Sequence, residues 1–120
     1  MKLLLKRVYE SPADSDGTRI LVDRLWPRGL SKAEAKIDYW AKDAAPSNEL
    51  RRWYQHEEKK WPEFERRYLD ELRNNTAVVE KLVANLGNGT TTLLFSAKET
   101  KRNNAAVLKK YLETIGGSIR

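Results

Sequence analysis

The chain of 120 residues has no cysteine. That excludes disulfides, thiolate nucleophiles and cysteine metal sites. It has a single histidine, His56. One histidine with scattered carboxylates cannot make a zinc site of the usual type, and no spaced aspartates suggest a calcium loop. No metal and no cofactor is therefore expected. No apolar run approaches the roughly 20 residues a membrane-spanning helix needs. Leu3, Leu4 and Leu5 are cut off by Lys6 and Arg7, with no small-residue cleavage site after them, which argues against a signal peptide. A cytoplasmic protein without membrane contact is the expectation. Glycine is sparse. Arg28-Gly29-Leu30-Ser31 has one, whereas a dinucleotide or nucleoside-triphosphate loop needs several. Ser96 follows an apolar run but lacks the flanking glycines of a nucleophile elbow. Long runs of lysine or arginine are missing too.

What is present describes one globular domain covering residues 1–120. Hydrophobic residues make up 40% and charged residues 33%, a mix that supports a single core rather than a disordered tail. Lysine and arginine number 23 against 17 acidic residues, a net charge of +6. A small anionic ligand, nucleic acid or an acidic protein would all be attracted. Acidic residues are interspersed nearly everywhere, and Glu65, Arg66, Asp70, Glu71 and Arg73 mix signs within one helix. That speaks against a DNA-reading helix. Duplex DNA binding is expected to be weak and to fade steeply with salt.

The chain is organised around Arg19 to Ser31. Ile20, Leu21, Val22 and Leu25 suit a covered strand. Pro27 and Gly29 break it. Ser31 and Glu34 have the spacing of a capping box. Before this stretch, Leu3 to Tyr9 reads as a strand and Glu10 to Gly17 as an acidic loop that could pair with the basic cluster or cover it. After it, Ile37, Trp40, Ala41 and Ala44 fall at helical spacing and predict a helix over Ser31 to Ala44. Ser47 caps a short helix to Tyr54. Pro62 opens another, with Phe64, Tyr68, Leu69 and Leu72 on one side. Thr76 begins a fourth, ended by Gly87-Asn88-Gly89. Thr91 to Phe95 is the third strand. Asn103 or Asn104 caps a last helix, closed by Gly116-Gly117. This order predicts an α/β fold, a small three-layer sandwich. Its sheet is mostly parallel, with at least three strands and helices on both faces. Strands two and three are expected to be parallel because a long helical crossover joins them. The direction of the first is open.

Val22-Asp23-Arg24-Leu25-Trp26-Pro27-Arg28-Gly29 carries a resemblance. So do Trp40 to Ser47, Leu50 to His56, Leu93 to Lys98 and Asn104 to Leu112. Over nearly its whole length the chain resembles the YeaO-like branch of the bacterial and archaeal family labelled domain of unknown function 488. The resemblance implies a compact three-layer α/β protein and names no reaction. Many relatives carry a histidine beside the asparagine where this chain has Lys101-Arg102-Asn103-Asn104. More distant ones place cysteine and histidine in that loop. This chain has neither there, so no thiol reaction carries over.

In open α/β folds, ligands bind where strands end. Arg24, Trp26, Arg28, Lys42, Asp43 and Lys98 are the candidate ligand-binding residues, with Asp23 or Asp43 orienting an arginine. The arginine fork suits phosphate or carboxylate, and Trp26 would wall the pocket. His56 and Asp23 are the candidate proton-moving groups, His56 only if its short helix folds back over the sheet. Three functions fit: binding of a small phosphorylated or carboxylated ligand, an enzyme acting on such a ligand, or a nucleic-acid or protein interaction module.

Overall fold

Ile20-Leu21-Val22 and Leu93-Leu94-Phe95 are apolar at consecutive positions. Only a sheet covered on both faces buries such runs. The computed structural model describes residues 2–119 and contains that sheet. Its strands are β1 (Lys2–Arg7), β2 (Thr18–Leu21), β3 (Tyr39–Trp40) and β4 (Thr90–Phe95). They lie in the order β1-β4-β2-β3, every pair parallel. Leu93 sits between Leu5 of β1 and Ile20 of β2. The first strand thus runs with the others. The helices are α1 (Lys32–Ala35), α2 (Asn48–Tyr54), α3 (Trp61–Arg73), α4 (Thr76–Ala84) and α5 (Asn104–Ile119).

The two faces are covered differently. On one, Leu3, Ile20, Val22, Leu93 and Phe95 form the main core with Leu50, Phe64, Tyr68, Leu72, Val79, Leu82, Leu108 and Leu112 from α2 to α5. On the other, Val8, Leu21 and Leu94 pack against Trp26, Leu30, Ile37 and Trp40, around α1. Connections that cross a parallel sheet in opposite directions with one hand must lie on opposite faces. The β1–β2 and β2–β3 connections run one way across the sheet. The β3–β4 connection, which carries α2, α3 and α4, runs back on the other side.

The sequence predicts one helix over Ser31 to Ala44; the structure has a single turn, α1. The capping box is real: the Ser31 hydroxyl accepts the Glu34 N–H at 3.1 Å and the Glu34 carboxylate accepts the Ser31 N–H at 3.0 Å. The Ser31 N–H foremost, and the Ser31 hydroxyl after it, hold the Glu34 carboxyl below the ordinary range. The helix then stops at Lys36, in the left-handed region at φ 47°. The Arg19 guanidinium takes the Ala35 and Lys36 carbonyls at 2.8 and 3.1 Å. Asp38 locks onto β2 by donating its N–H to the Arg19 carbonyl and accepting the Arg19 N–H, both at 2.8 Å. Ile37 and Trp40 serve one apolar cluster, Ala41 and Ala44 the other. Their helical spacing therefore marks no common face.

Further along, α5 continues through Gly116-Gly117 instead of ending there. Trp53 and Trp61 are half-buried, and Lys60 and Arg67 lie over the Trp53 ring, 5.0 and 4.4 Å from its centre. The acidic loop does not reach the basic strand ends. Asp16 instead pairs with Lys6 at 3.1 Å and Arg19 at 2.5 Å on the second face. Gly17 has φ +65°, and a Cβ there would meet the Thr90 carbonyl oxygen at 2.1 Å, so only glycine fits. Among the described residues no helix is long and apolar enough to cross a membrane.

Candidate functional site

After β2 the chain turns toward the second face. After β4 it turns toward α5 on the first. The diverging ends leave a crevice, the usual place for a ligand in an open parallel sheet. Asp23 spans its base. One carboxylate oxygen accepts the Ser96 N–H and hydroxyl, each at 2.8 Å. The other accepts the Asn104 amide at 2.9 Å, and that amide also donates to the Val22 carbonyl at 3.0 Å. Asp23 thus ties β2 to the β4–α5 junction and orients no arginine. Replacing Asp23 by alanine removes charge-assisted bonds and is expected to cost about 2 kcal/mol. Faster hydrogen exchange at the Ser96 amide would report the loosened junction.

Arg24, the next residue, is half-buried and held by backbone. It donates to the Pro46 carbonyl at 3.0 Å and the Ala45 carbonyl at 3.1 Å. This brings the start of α2 against the strand ends. Ser47 accepts the Leu50 N–H, while its own N–H and hydroxyl donate to the Glu71 carboxylate at 2.9 and 2.6 Å. α2 then ends in two successive left-handed residues, Gln55 (φ 46°) and His56 (φ 58°). Such conformations are uncommon outside glycine. They turn the chain back so that His56 lines the crevice, as the sequence required for it to matter.

The loop from Ser96 to Asn103 makes the opposite wall. Arg7 grips it, donating to the Ala97 and Ser96 carbonyls at 2.9 Å each. Glu99 shapes its far side by accepting the Lys101 N–H at 2.8 Å, which with the Arg102 N–H holds its carboxyl below the ordinary range. Asn103 caps α5 by accepting the Ala106 N–H at 2.9 Å.

The resulting cleft has a volume of about 440 Å³. Arg24, Arg28, Arg51, Arg52 and Arg102 line it with His56, and Asp23 is the one carboxylate among the lining residues. Among the described residues none of these five arginines is in an ion pair. Trp26, Pro27, Tyr54 and Phe64 supply apolar wall. Burial, and after it Glu58 and Glu99, pushes the Tyr54 hydroxyl above the usual tyrosine range. Several guanidinium forks in one concave space are the chemistry that recognises phosphate or carboxylate.

The structure therefore gathers Asp23, Arg24, Trp26, Arg28 and His56, and leaves the other candidates outside. Lys98 is exposed on the loop after β4 and does not line the cleft. Lys42 lies over the Trp40 ring at 5.3 Å. Asp43 lines a separate hollow beside Glu71. Sequence reasoning missed Arg51, Arg52 and Arg102. The first two lie in the Leu50 to His56 stretch, whose basic pair sits just before the histidine.

Residues 2–115 match the family described as the inactive DUF488-N3 subclade. The chain belongs to that family. The uncharacterized protein YeaO of Escherichia coli (strain K12) is 41% identical over 115 residues, 96% of this chain and 100% of its own. An uncharacterized protein of Mycobacterium tuberculosis (strain H37Rv) is 40% identical over 111 residues, 92% of this chain and 93% of its own. An uncharacterized protein of Mycobacterium bovis has the same identity and coverage. No solved structure matches the chain.

Proposed function

We propose that the cleft binds a small phosphorylated or carboxylated molecule without transforming it. The observation that carries this reading is the set of five arginines on one concave surface without an ion-pair partner among the described residues. Like charges held together in excess of the one lining carboxylate repel one another, an arrangement that an anion relieves. The family's description as inactive favours binding over catalysis. So does Asp23, whose carboxylate is occupied by three donors. A cytoplasmic location is part of the proposal, since phosphorylated metabolites are found there.

The test is a thermal-shift and calorimetric comparison of pyrophosphate and citrate on the native protein and on the Arg51→Ala/Arg52→Ala double variant. Among the described residues the side chains of both arginines bond only to Asn48 within their own helix, so the fold is expected to tolerate their loss. Bound anion raises the apparent stability of the native protein. The double variant is expected to lose at least tenfold in anion affinity, about 1.4 kcal/mol. Equal anion binding by both proteins would move the site elsewhere, and no binding by either would end the reading.

A further inference from the structure

Among the described residues two large apolar side chains are exposed, Tyr9 at 42% and Leu25 at 60%. Both line the arginine cleft. Scattered exposed apolar residues need no explanation, but apolar groups gathered at a charged concavity do. Tyr9 is also held in place. Its hydroxyl donates to the Arg28 carbonyl at 2.9 Å. Its ring has the Arg7 guanidinium 5.2 Å from its centre. Arg7 is itself fixed to the Ser96 and Ala97 carbonyls. One side of the ring is thus taken by a pinned cation, the hydroxyl is tied down, and the residue, part of the cleft lining, remains 42% exposed. A ring locked in this way loses little entropy when a second ring stacks on it.

A simple phosphate or carboxylate would use the arginines and leave Tyr9, Leu25 and most of the cleft unused. The volume, about 440 Å³, is that of a site for a larger molecule with an apolar part. We infer that the ligand is a nucleoside phosphate, its base stacked on Tyr9 beside Leu25 and its phosphate among the arginines. It is either a free nucleotide or the phosphorylated end of a single strand. This rests on the anion-binding reading above and adds the planar ring.

The experiment measures affinities by calorimetry for adenosine 5′-monophosphate, ribose 5-phosphate and a 5′-phosphorylated oligothymidylate. The native protein, Tyr9→Ala and Tyr9→Phe are compared. Aromatic stacking on a base gives roughly tenfold or more in affinity. The native protein should therefore bind the nucleotide at least about tenfold more tightly than the sugar phosphate. Tyr9→Ala should remove that difference by weakening the nucleotide alone, and Tyr9→Phe should keep most of it. Tighter binding of the phosphorylated strand than of the nucleotide would assign the ligand to a strand end; the reverse order would assign it to the free nucleotide. If the sugar phosphate binds as well as the nucleotide, or Tyr9→Ala weakens both alike, the ring assignment fails while anion binding stands. If none of the three probes binds, both fail.

Discussion

Phe64→Ala is expected to cost about 3–5 kcal/mol of unfolding free energy, among the larger effects a single truncation can have. Phe64 is 3% exposed on the inner side of α3. Its ring stacks on Tyr54 with centres 4.3 Å apart and planes inclined by 27°. Trp61 stacks on it at 5.5 Å and 26°. Three aromatic rings, Tyr54 from α2 with Trp61 and Phe64 from α3, thus form one pile, with Tyr68 a fourth at 6.1 Å. The neighbours cannot collapse freely into the space that alanine would leave. Tyr68 is fully buried and donates its hydroxyl to the Ala44 carbonyl at 2.6 Å. The cavity therefore persists and adds to the lost transfer energy. Urea denaturation checks the figure, and a loss below about 1 kcal/mol would contradict the role given to this stack. Because Tyr54 and Phe64 both line the cleft, the variant should also weaken any ligand held there.

The parts of the molecule legible in its sequence are those where one segment serves one surface. The helix at Phe64, Tyr68 and Leu72 has a single inner face, and those three residues are buried as their spacing requires. The Ser31–Glu34 box and the Ser47 cap are local bonds that spacing alone reveals. The stretch from Ile37 to Ala44 misleads because its apolar residues divide between the two sides of the sheet. A period-3.6 pattern cannot tell one face from two. What ends α1 is also remote, since the Arg19 side chain arrives from β2 to take carbonyls that would have continued the helix.

The cleft divides in the same way. Asp23, Arg24 and Arg28 follow a strand, and general topology points to them. Arg51, Arg52 and His56 enter only because Arg24 draws the Ala45 and Pro46 carbonyls to the strand ends. The left-handed pair Gln55-His56 then folds the chain back. Neither residue type announces that conformation, as a glycine would. Lys98 looked equivalent to Arg28 because both follow strands, yet its loop is turned by the Glu99 bonds and carries Arg102 to the cleft instead.

Asp16→Ala is expected to be comparably destabilising, about 3–5 kcal/mol, because it would strand cations in a covered site. The second face of the sheet has little helix to shield it. The loop before β2 lies there, attached by the Thr92 hydroxyl donating to the Asp16 carbonyl at 2.7 Å. Lys6 of β1 and Arg19 of β2 both project to this face, and Asp16 is the carboxylate between them. Arg19 is 4% exposed and Asp16 5%. Burial by itself would raise the Asp16 carboxyl. The Ala13 N–H, Lys6 and Arg19 together outweigh it and hold the group below the ordinary aspartate range. A carboxyl that is more acidic in the folded than in the unfolded chain stabilises the fold fully above the unfolded pKa, about 4. The contribution drains away as pH falls from there through the lower folded value. Acid unfolding of the native protein should therefore be steeper below about pH 4 than that of Asp16→Asn, which keeps the shape and lacks the titrating group. Chemical denaturation at neutral pH and at about pH 3 measures both effects. A loss under about 1 kcal/mol for Asp16→Ala, or the same acid response in Asp16→Asn, would show that the loop is held by its backbone bonds and not by this triad.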